Sequence, residues 1–396
     1  MTTPDASPSV TLDLGEDYPE VREGVRRICA DFPGSYWREL DAREAYPSEF
    51  VTAMTEAGYL AALIPEEYGG AGLPLRAAGV VLEEIHASGG NAGATHAQMY
   101  TMGTVLRHGS EAQKARYLPK IAAGELRLQA FGVTEPTSGT DTTKLKTRAV
   151  RDGDEYVING QKIWTSRALY SDLMLLLART TPLADGMRPV DGLSVFLVDM
   201  RAALERGMTI RPIKAMINHN TTEVFFDDLR IPAEALIGDE GRGLRYIMDG
   251  MNAERILVSH ESLGDATWFV RTATKYANER VVFDRPIGQN QGIQFPIAKA
   301  YAQAQAADLM VRKAAALFQA GQPCGEFANL SKLLSAEAAW EAAEACMQTH
   351  GGFAYAREYD VERKWREARV QRTAPISTNL ILSYVAQHVL GLPRSY

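Results

Sequence analysis

The sequence predicts an α+β protein built in three parts: helices, then a β region, then a helical bundle. Apolar residues recur at spacings of three and four over the first part. The middle consists of short β-branched or aromatic runs separated by turns. The last part carries long Ala-rich amphipathic stretches.

The first helical zone covers residues 18–123 and contains REGVRRICADF, PSEFVTAMTEAGYLAAL and LRAAGVVLEEIHAS, each with helical apolar spacing. Gly69-Gly70-Ala71-Gly72 reads as a turn between helices. It lacks the preceding strand and the spacing of a dinucleotide-binding loop. Strand texture runs over residues 127–238. Tyr156-Val157-Ile158 and Lys162-Ile163-Trp164 flank Asn159-Gly160, a pairing that predicts a tight hairpin. Residues 173–178, 193–198 and 223–226 are further strand candidates, as in a small barrel or sandwich. From Gly243 the pattern is helical again, and residues 298–320 and 326–349 have the composition of bundle helices. The expected domains are residues 1–127, 128–240 and 241–396.

Bulk properties narrow the function classes. A net charge of -7 argues against a nucleic-acid binder, which usually carries a basic face. Cys29, Cys324 and Cys346 are far apart and lack metal-ligand spacing, so they read as buried reduced thiols, with no metal expected. No apolar run approaches the roughly 20 residues that span a bilayer. The start, MTTPDASPSVTLDLGEDYPE, is polar and acidic with no hydrophobic signal core. The end, Arg394-Ser395-Tyr396, is not a peroxisomal address. A cytoplasmic protein is expected.

Two segments are more specific. Phe131-Gly132-Val133-Thr134-Glu135-Pro136-Thr137-Ser138-Gly139-Thr140-Asp141 is followed by Tyr156-Val157-Ile158-Asn159-Gly160-Gln161-Lys162-Ile163-Trp164-Thr165-Ser166. This pair resembles the signature segments of the acyl-CoA dehydrogenase family. Ile64-Pro65-Glu66-Glu67-Tyr68-Gly69-Gly70 lies upstream; Arg280-Val281-Val282-Phe283 with Gln291, and Gln348-Thr349-His350-Gly351-Gly352, lie downstream in the family's order. The resemblance covers the chain from about Tyr18 to the end. It implies an N-terminal α-helical domain, a β-barrel or sandwich domain and a C-terminal four-helix bundle. It also implies FAD as cofactor, a homo-oligomer (commonly a tetramer), and an electron-transfer flavoprotein as electron acceptor.

That chemistry sets the requirements on the site. A base must remove the proton alpha to a thioester carbonyl while a hydride leaves Cβ for the flavin. The developing enolate needs positioned donors. By resemblance, Phe131, Val133 and Thr134 bond the flavin edge, Trp164 walls the ring, and Ser166 fills a common Ser or Thr position. Thr140 lies near cofactor and substrate. Arg280, Phe283 and Gln291 reach the FAD of a neighbouring subunit, where a guanidinium suits a pyrophosphate. Gln348, Gly351 and Gly352 bring the backbone close to FAD, and Thr378 and Asn379 complete that set. Taken singly, Phe131 and Trp164 are strand residues in a β core, and Arg280 is a solvated helix-end residue.

The base is the most informative position. Many family members carry it as a Glu in Tyr-Glu-Gly-Thr near the C-terminus. The matching stretch here is Arg372-Thr373-Ala374-Pro375-Ile376-Ser377-Thr378-Asn379, which has no carboxylate. Anchoring on Thr378-Asn379 puts Ile376 at the Glu position, the preferred register; a slip of one puts Pro375 there and loses a backbone N–H. Isovaleryl- and long-chain-type members carry the base in a Glu-Arg pair after the β domain. Ala253-Glu254-Arg255-Ile256 supplies that pair, with Glu254 as the candidate base and Arg255 as a substrate-binding residue. Glu261, two helical turns on along the same face, and His260 rank below it. Met99, Tyr100 and Met248 are candidates for the acyl pocket, although Met at helical spacing is more often core. The base position goes with branched or medium-length acyl groups. An oxygen-using monooxygenase or oxidase of the same fold, a non-catalytic acyl- or FAD-binding protein, and a carrier-protein thioester in place of acyl-CoA are the competing readings.

Overall fold

A computed structural model describes residues 15–394. The N-terminal 14 residues, and Ser395 and Tyr396, lie outside the described residues, so the readings of the leader and of the C-terminal tripeptide have no structural counterpart.

Six helices come first: α1 (Pro19–Ala30), α2 (Gly34–Arg43), α3 (Ser48–Glu56), α4 (Leu75–Ala87), α5 (Gly93–His108) and α6 (Glu111–Ala122). The strands follow as β1 (Leu128–Gly132), β2 (Arg148–Asp152), β3 (Glu155–Ser166), β4 (Leu173–Arg179) and β5 (Leu193–Asp199). A short helix α7 (Met200–Leu204) leads to β6 (Met208–Pro212), β7 (Thr221–Pro232) and β8 (Leu236–Ile237). The chain then enters α8 (Gly243–Glu279), turns through the hairpin β9 (Val281–Val282) and β10 (Arg285–Pro286), and continues as α9 (Gln291–Gln319), α10 (Gly325–His350), α11 (Val361–Val370) and α12 (Thr378–Tyr384). No described helix is long and apolar enough to cross a membrane.

The strands form one eight-stranded sheet in the order β6-β7-β3-β2-β4-β5-β8, with β1 added parallel to β4. Because successive side chains of a strand point to opposite faces, β4 feeds two cores at once. Leu173, Leu175 and Leu177 pack with Met102, Val105, Leu118 and Ile121 of α5 and α6. Met174, Leu176 and Ala178 pack with Tyr156, Phe196, Val224 and Phe226 inside the β domain. Every residue of β4 is buried, which explains its nearly unbroken apolar run.

The structure corrects the hairpin expected at Asn159-Gly160. Both residues lie inside the single strand β3, at a register shift against β7 between Ile158 and Gly160. Asn159 pairs with Asp228 on the neighbouring strand, Nδ2 donating to Oδ1 at 2.9 Å. Gly160 is required by close approach: a Cβ there would lie 2.6 Å from the Cα of Thr147. The true β2–β3 turn is Asp152-Gly153-Asp154-Glu155, with Gly153 at φ 66°.

The N-terminal helices also rest on the bundle. Val81, Leu82 and Ile85 of α4 share a core with Ile256 and Leu257 of α8 and Ala314 and Ala315 of α9. The close fit of α4 on α8 depends on Gly79, where an added Cβ would lie 2.2 Å from His260 Cδ2. Helices α8 and α9, packed with α10 and the shorter α11, form the C-terminal bundle. The three cysteines are buried and unpaired.

Candidate active site

A cleft of about 360 Å³ opens where the β1 end of the sheet, α5, α8 and the segment after α11 meet. Phe131, Val133, Thr134, Trp164 and Ser166 line one side; Tyr100, Met248 and Glu254 line the others. Residues from all three parts of the chain, predicted from separate motifs, are therefore brought together.

The β side is held open by two devices. The bulge between Lys162 and Thr165 turns Trp164 out at φ 60°, a region that bulky side chains rarely adopt, and leaves it 58% exposed. Beneath it, Lys162 Nζ is buried and donates to Glu135 Oε1 at 2.8 Å and to the Val133 carbonyl at 3.1 Å. Glu135 accepts in addition from the backbone N–H groups of Lys146 and Thr147. Burial pushes the Lys162 ammonium down to about 8, against the pull of Glu135. Together with the Ile163 N–H bond to the Thr134 carbonyl, 2.9 Å, this fixes the 131–135 segment against β3.

The helical side carries the charge. Glu254, 4% exposed, places Oε2 3.1 Å from His96 Nε2 on α5, while Oε1 has no partner among the described residues. His96 Nδ1 lies 3.0 Å from Glu261 Oε1, a close ionic contact rather than an aligned hydrogen bond. Glu261 Oε2 accepts from Gln371 Nε2 at 3.1 Å. Burial alone would push His96 down, but the carboxylates of Glu254 and Glu261 on either side raise it to about 10, so it is an imidazolium at neutral pH. Burial would raise Glu261, and the charge on His96 holds it well below the usual carboxylate range instead.

Asp265, one turn beyond Glu261 on α8, continues the polar face: it accepts from His86 Nδ1 at 2.8 Å and pairs with Lys364 at 2.5 Å. The Ala92 N–H donates to His86 Nε2, which leaves Nδ1 to carry the proton. His260 faces α4 and pairs with Glu83 at 2.9 Å, away from the cleft, as its helix position predicts.

Several sequence-predicted residues lie elsewhere. Met99 is 1% exposed and packs in the core under α4, one position before Tyr100 and therefore on another helix face. Arg255 is rotated away from Glu254 and donates to Asn252 Oδ1 at 3.0 Å, so it is not on the cleft wall. Thr140 is exposed on its loop; Gly139 and Thr142 line the cleft instead. Of the two C-terminal registers, Ala374 and Pro375 reach the wall, while the Ile376 carbonyl accepts from Lys332 at 2.7 Å. Pro375 offers neither a carboxylate nor an N–H, and the bond to Lys332 engages only the carbonyl of Ile376. Thr378 and Asn379 begin α12, capped by Ser377.

Arg280, Phe283, Gln291, Gln348, Gly351 and Gly352 are grouped at the end of the bundle, off the cleft. Arg280 stacks on Phe353 at 5.4 Å, and Phe283, at the tip of the β9–β10 hairpin, is 94% exposed. His96, Gln371, His86 and Arg167 also line the cleft and were not singled out from the sequence. A usable signal existed in Gly93, His96 and Tyr100, whose spacing puts them on one face of α5.

The exposed indole of Trp164 and the hydroxyls of Thr134 and Ser166, which bond nothing among the described residues, fit a flat heteroaromatic ring with acceptor atoms along its edge. A buried carboxylate with one free oxygen faces the same space. Such a cleft fits a flavin-dependent oxidoreductase. The comparisons with known proteins identify which kind. The acyl-CoA dehydrogenase N-terminal, middle and C-terminal domain models match residues 15–125, 130–229 and 241–390. Acyl-CoA dehydrogenase FadE12 of Mycobacterium tuberculosis is 34% identical over 387 residues, covering 96% of this chain and 98% of its own. Glutaryl-CoA dehydrogenase in complex with glutaryl-CoA is 30% identical with a TM-score of 0.88, covering 97% of each chain. Butyryl-CoA dehydrogenase from Megasphaera elsdenii is 26% identical with a TM-score of 0.88, covering 96% of this chain and 99% of its own. The chain belongs to the acyl-CoA dehydrogenase family, FAD-dependent oxidoreductases that act on CH–CH bonds.

Proposed function

We propose that the protein oxidises the Cα–Cβ bond of an acyl-CoA thioester to the trans-2-enoyl-CoA, with Glu254 as the base and an electron-transfer flavoprotein as electron acceptor. The observation that carries this reading is the free Oε1 of Glu254 in a cleft whose opposite loop, Ala374-Pro375, has no carboxylate. Bound FAD supplies the hydride acceptor.

The chain's own residues do the rest. Phe131, Val133, Thr134, Trp164 and Ser166 hold and orient the flavin ring. Glu254 Oε1 takes the proton from Cα, on the side of the cleft formed by α8. The His96 imidazolium fixes Oε2 through its 3.1 Å bond, so the carboxylate cannot swing away, and offsets the charge of its neighbour Glu261. Pro375 has no N–H, so the Ile376 N–H or a hydroxyl of the bound cofactor would donate to the thioester oxygen. Arg280, Phe283, Gln291, Gln348, Gly351 and Gly352, at the bundle end, are suited to meet the cofactor of a second subunit in a homotetramer.

The test is anaerobic. The FAD-loaded protein is mixed with straight, branched and aromatic acyl-CoAs while the oxidised-flavin absorbance is followed. Prompt bleaching with formation of the enoyl-CoA supports the reading; a loaded flavin that no acyl-CoA bleaches removes it.

A further inference from the structure

Arg167 is buried, 8% exposed, at the end of β3, and its guanidinium makes neither an ion pair nor a hydrogen bond among the described residues. Other buried arginines are all engaged. Arg363 pairs with Glu367, Arg76 with Asp17, Arg179 bonds backbone carbonyls, and Arg255 bonds Asn252. Arg167 instead lines the catalytic cleft, with its backbone turned to φ 61° and its N–H bonded to the Asn220 carbonyl at 2.9 Å. A buried guanidinium keeps its charge, so a lasting lack of a counterion is costly.

The surroundings leave that charge open to a ligand. The guanidinium lies over Gly93, where an added Cβ would come within 1.9 Å of Nη2, so a side chain at that position would fill the notch. Gly93 opens α5, and the exposed N–H groups of a helix start add positive potential. The carboxylates that share the cleft are already matched: Glu254 and Glu261 by His96, Glu367 by Arg363 and Lys364. On α5, Gly93 precedes His96 by three residues, about 5 Å along the axis. The Arg167 guanidinium, against Gly93, and the Glu254 carboxylate, against His96, therefore line the same cleft along one face of α5.

We propose that Arg167 is a subsite for a carboxylate on the acyl group, so that the substrate is a short dicarboxylic acid joined to CoA at one end only. This inference rests on the dehydrogenase reading above. The planar fork of Arg167 pairs with the free carboxylate in a two-pronged contact. That contact fixes the chain so that Cα stands at Glu254. Burial draws the Arg167 guanidinium down, with Tyr100, Tyr46 and Glu261 pulling the other way, and an arriving carboxylate would satisfy it fully.

The experiment compares glutaryl-CoA and adipyl-CoA with pentanoyl-CoA and hexanoyl-CoA in anaerobic reduction of the FAD-loaded wild type, Arg167→Met and Arg167→Lys. In the wild type, the diacid thioesters should half-saturate reduction at concentrations roughly tenfold to a hundredfold lower than their monoacid counterparts. Arg167→Met should abolish or reverse that preference while still being reduced by the monoacid thioesters, and Arg167→Lys should keep part of it. A wild type that is bleached by the monoacid thioesters with no preference for the diacids overturns the subsite and leaves the dehydrogenase reading standing. Equal loss toward both substrate classes in Arg167→Met, with flavin retained, also overturns it and moves Arg167 to the cofactor. If no thioester bleaches the flavin, the dehydrogenase reading fails and the subsite with it.

Discussion

His96 on α5 stands between two carboxylates of α8, with Nε2 3.1 Å from Glu254 Oε2 and Nδ1 3.0 Å from Glu261 Oε1. Seven residues separate the two glutamates, so they share a helix face, and one imidazolium serves both. It ties the N-terminal helices to the bundle at the proposed base, Glu254.

That relationship predicts a pH dependence. His96 is raised in the folded protein from 6.5 to about 10, so its stabilisation is fully present below about 6.5 and is lost as pH rises toward 10. The difference in Tm between wild type and His96→Gln should be largest at pH 6 and shrink steadily up to pH 10. A difference that grows with pH would mean that the imidazole is neutral in the folded state.

The buried pair of Lys162 and Glu135 supports the β side of the cleft, where the proposed flavin site lies. Lys162→Met leaves Glu135 buried without its partner and the Val133 carbonyl without a donor. A loss of about 3–5 kcal/mol is expected, from the usual cost of breaking a buried pair on one side. Calorimetry should show a lowered Tm, and purified protein should carry less FAD. Adding Glu135→Gln should recover part of the stability.

Trp164 holds a strained backbone and an exposed ring at the same position. Trp164→Gly relieves about 1–2 kcal/mol of left-handed strain but adds chain entropy to the unfolded state. The flavin-free protein should therefore keep nearly the same Tm. Its affinity for FAD should fall roughly two- to tenfold through the lost stacking, as read by flavin titration.

Much of this architecture was legible in the sequence because it is written in local periodicity. The α4, α9 and α10 segments repeat at three and four, and the runs at β4 and β5 are short and branched. Where the sequence misled, a longer-range contact won over a local signal. Asn159-Gly160 has the chemistry of a turn, but Asp228 takes the asparagine and Thr147 requires the glycine, so the strand runs on. Met99 and Tyr100 looked equivalent as neighbours, yet a helix turns by about a quarter circle per residue and sends one to the core. Phe131, Val133, Thr134, Trp164, Ser166 and Glu254 could be singled out because family motifs carry them, and the fold brings them to one cleft. His96 and Arg167 had no motif; their meaning lies in what they face across the fold, two carboxylates in one case and no counterion in the other.

The central claim is that Glu254 is the base, and one comparison tests it most directly. Glu254→Gln keeps the shape of the side chain and a partner for His96 but cannot take a proton. With an acyl-CoA that bleaches the wild-type flavin anaerobically, the variant should bind FAD and thioester as before and reduce about 10²–10⁴-fold more slowly. Reduction at the wild-type rate would contradict the account and return the base to another group on the cleft wall.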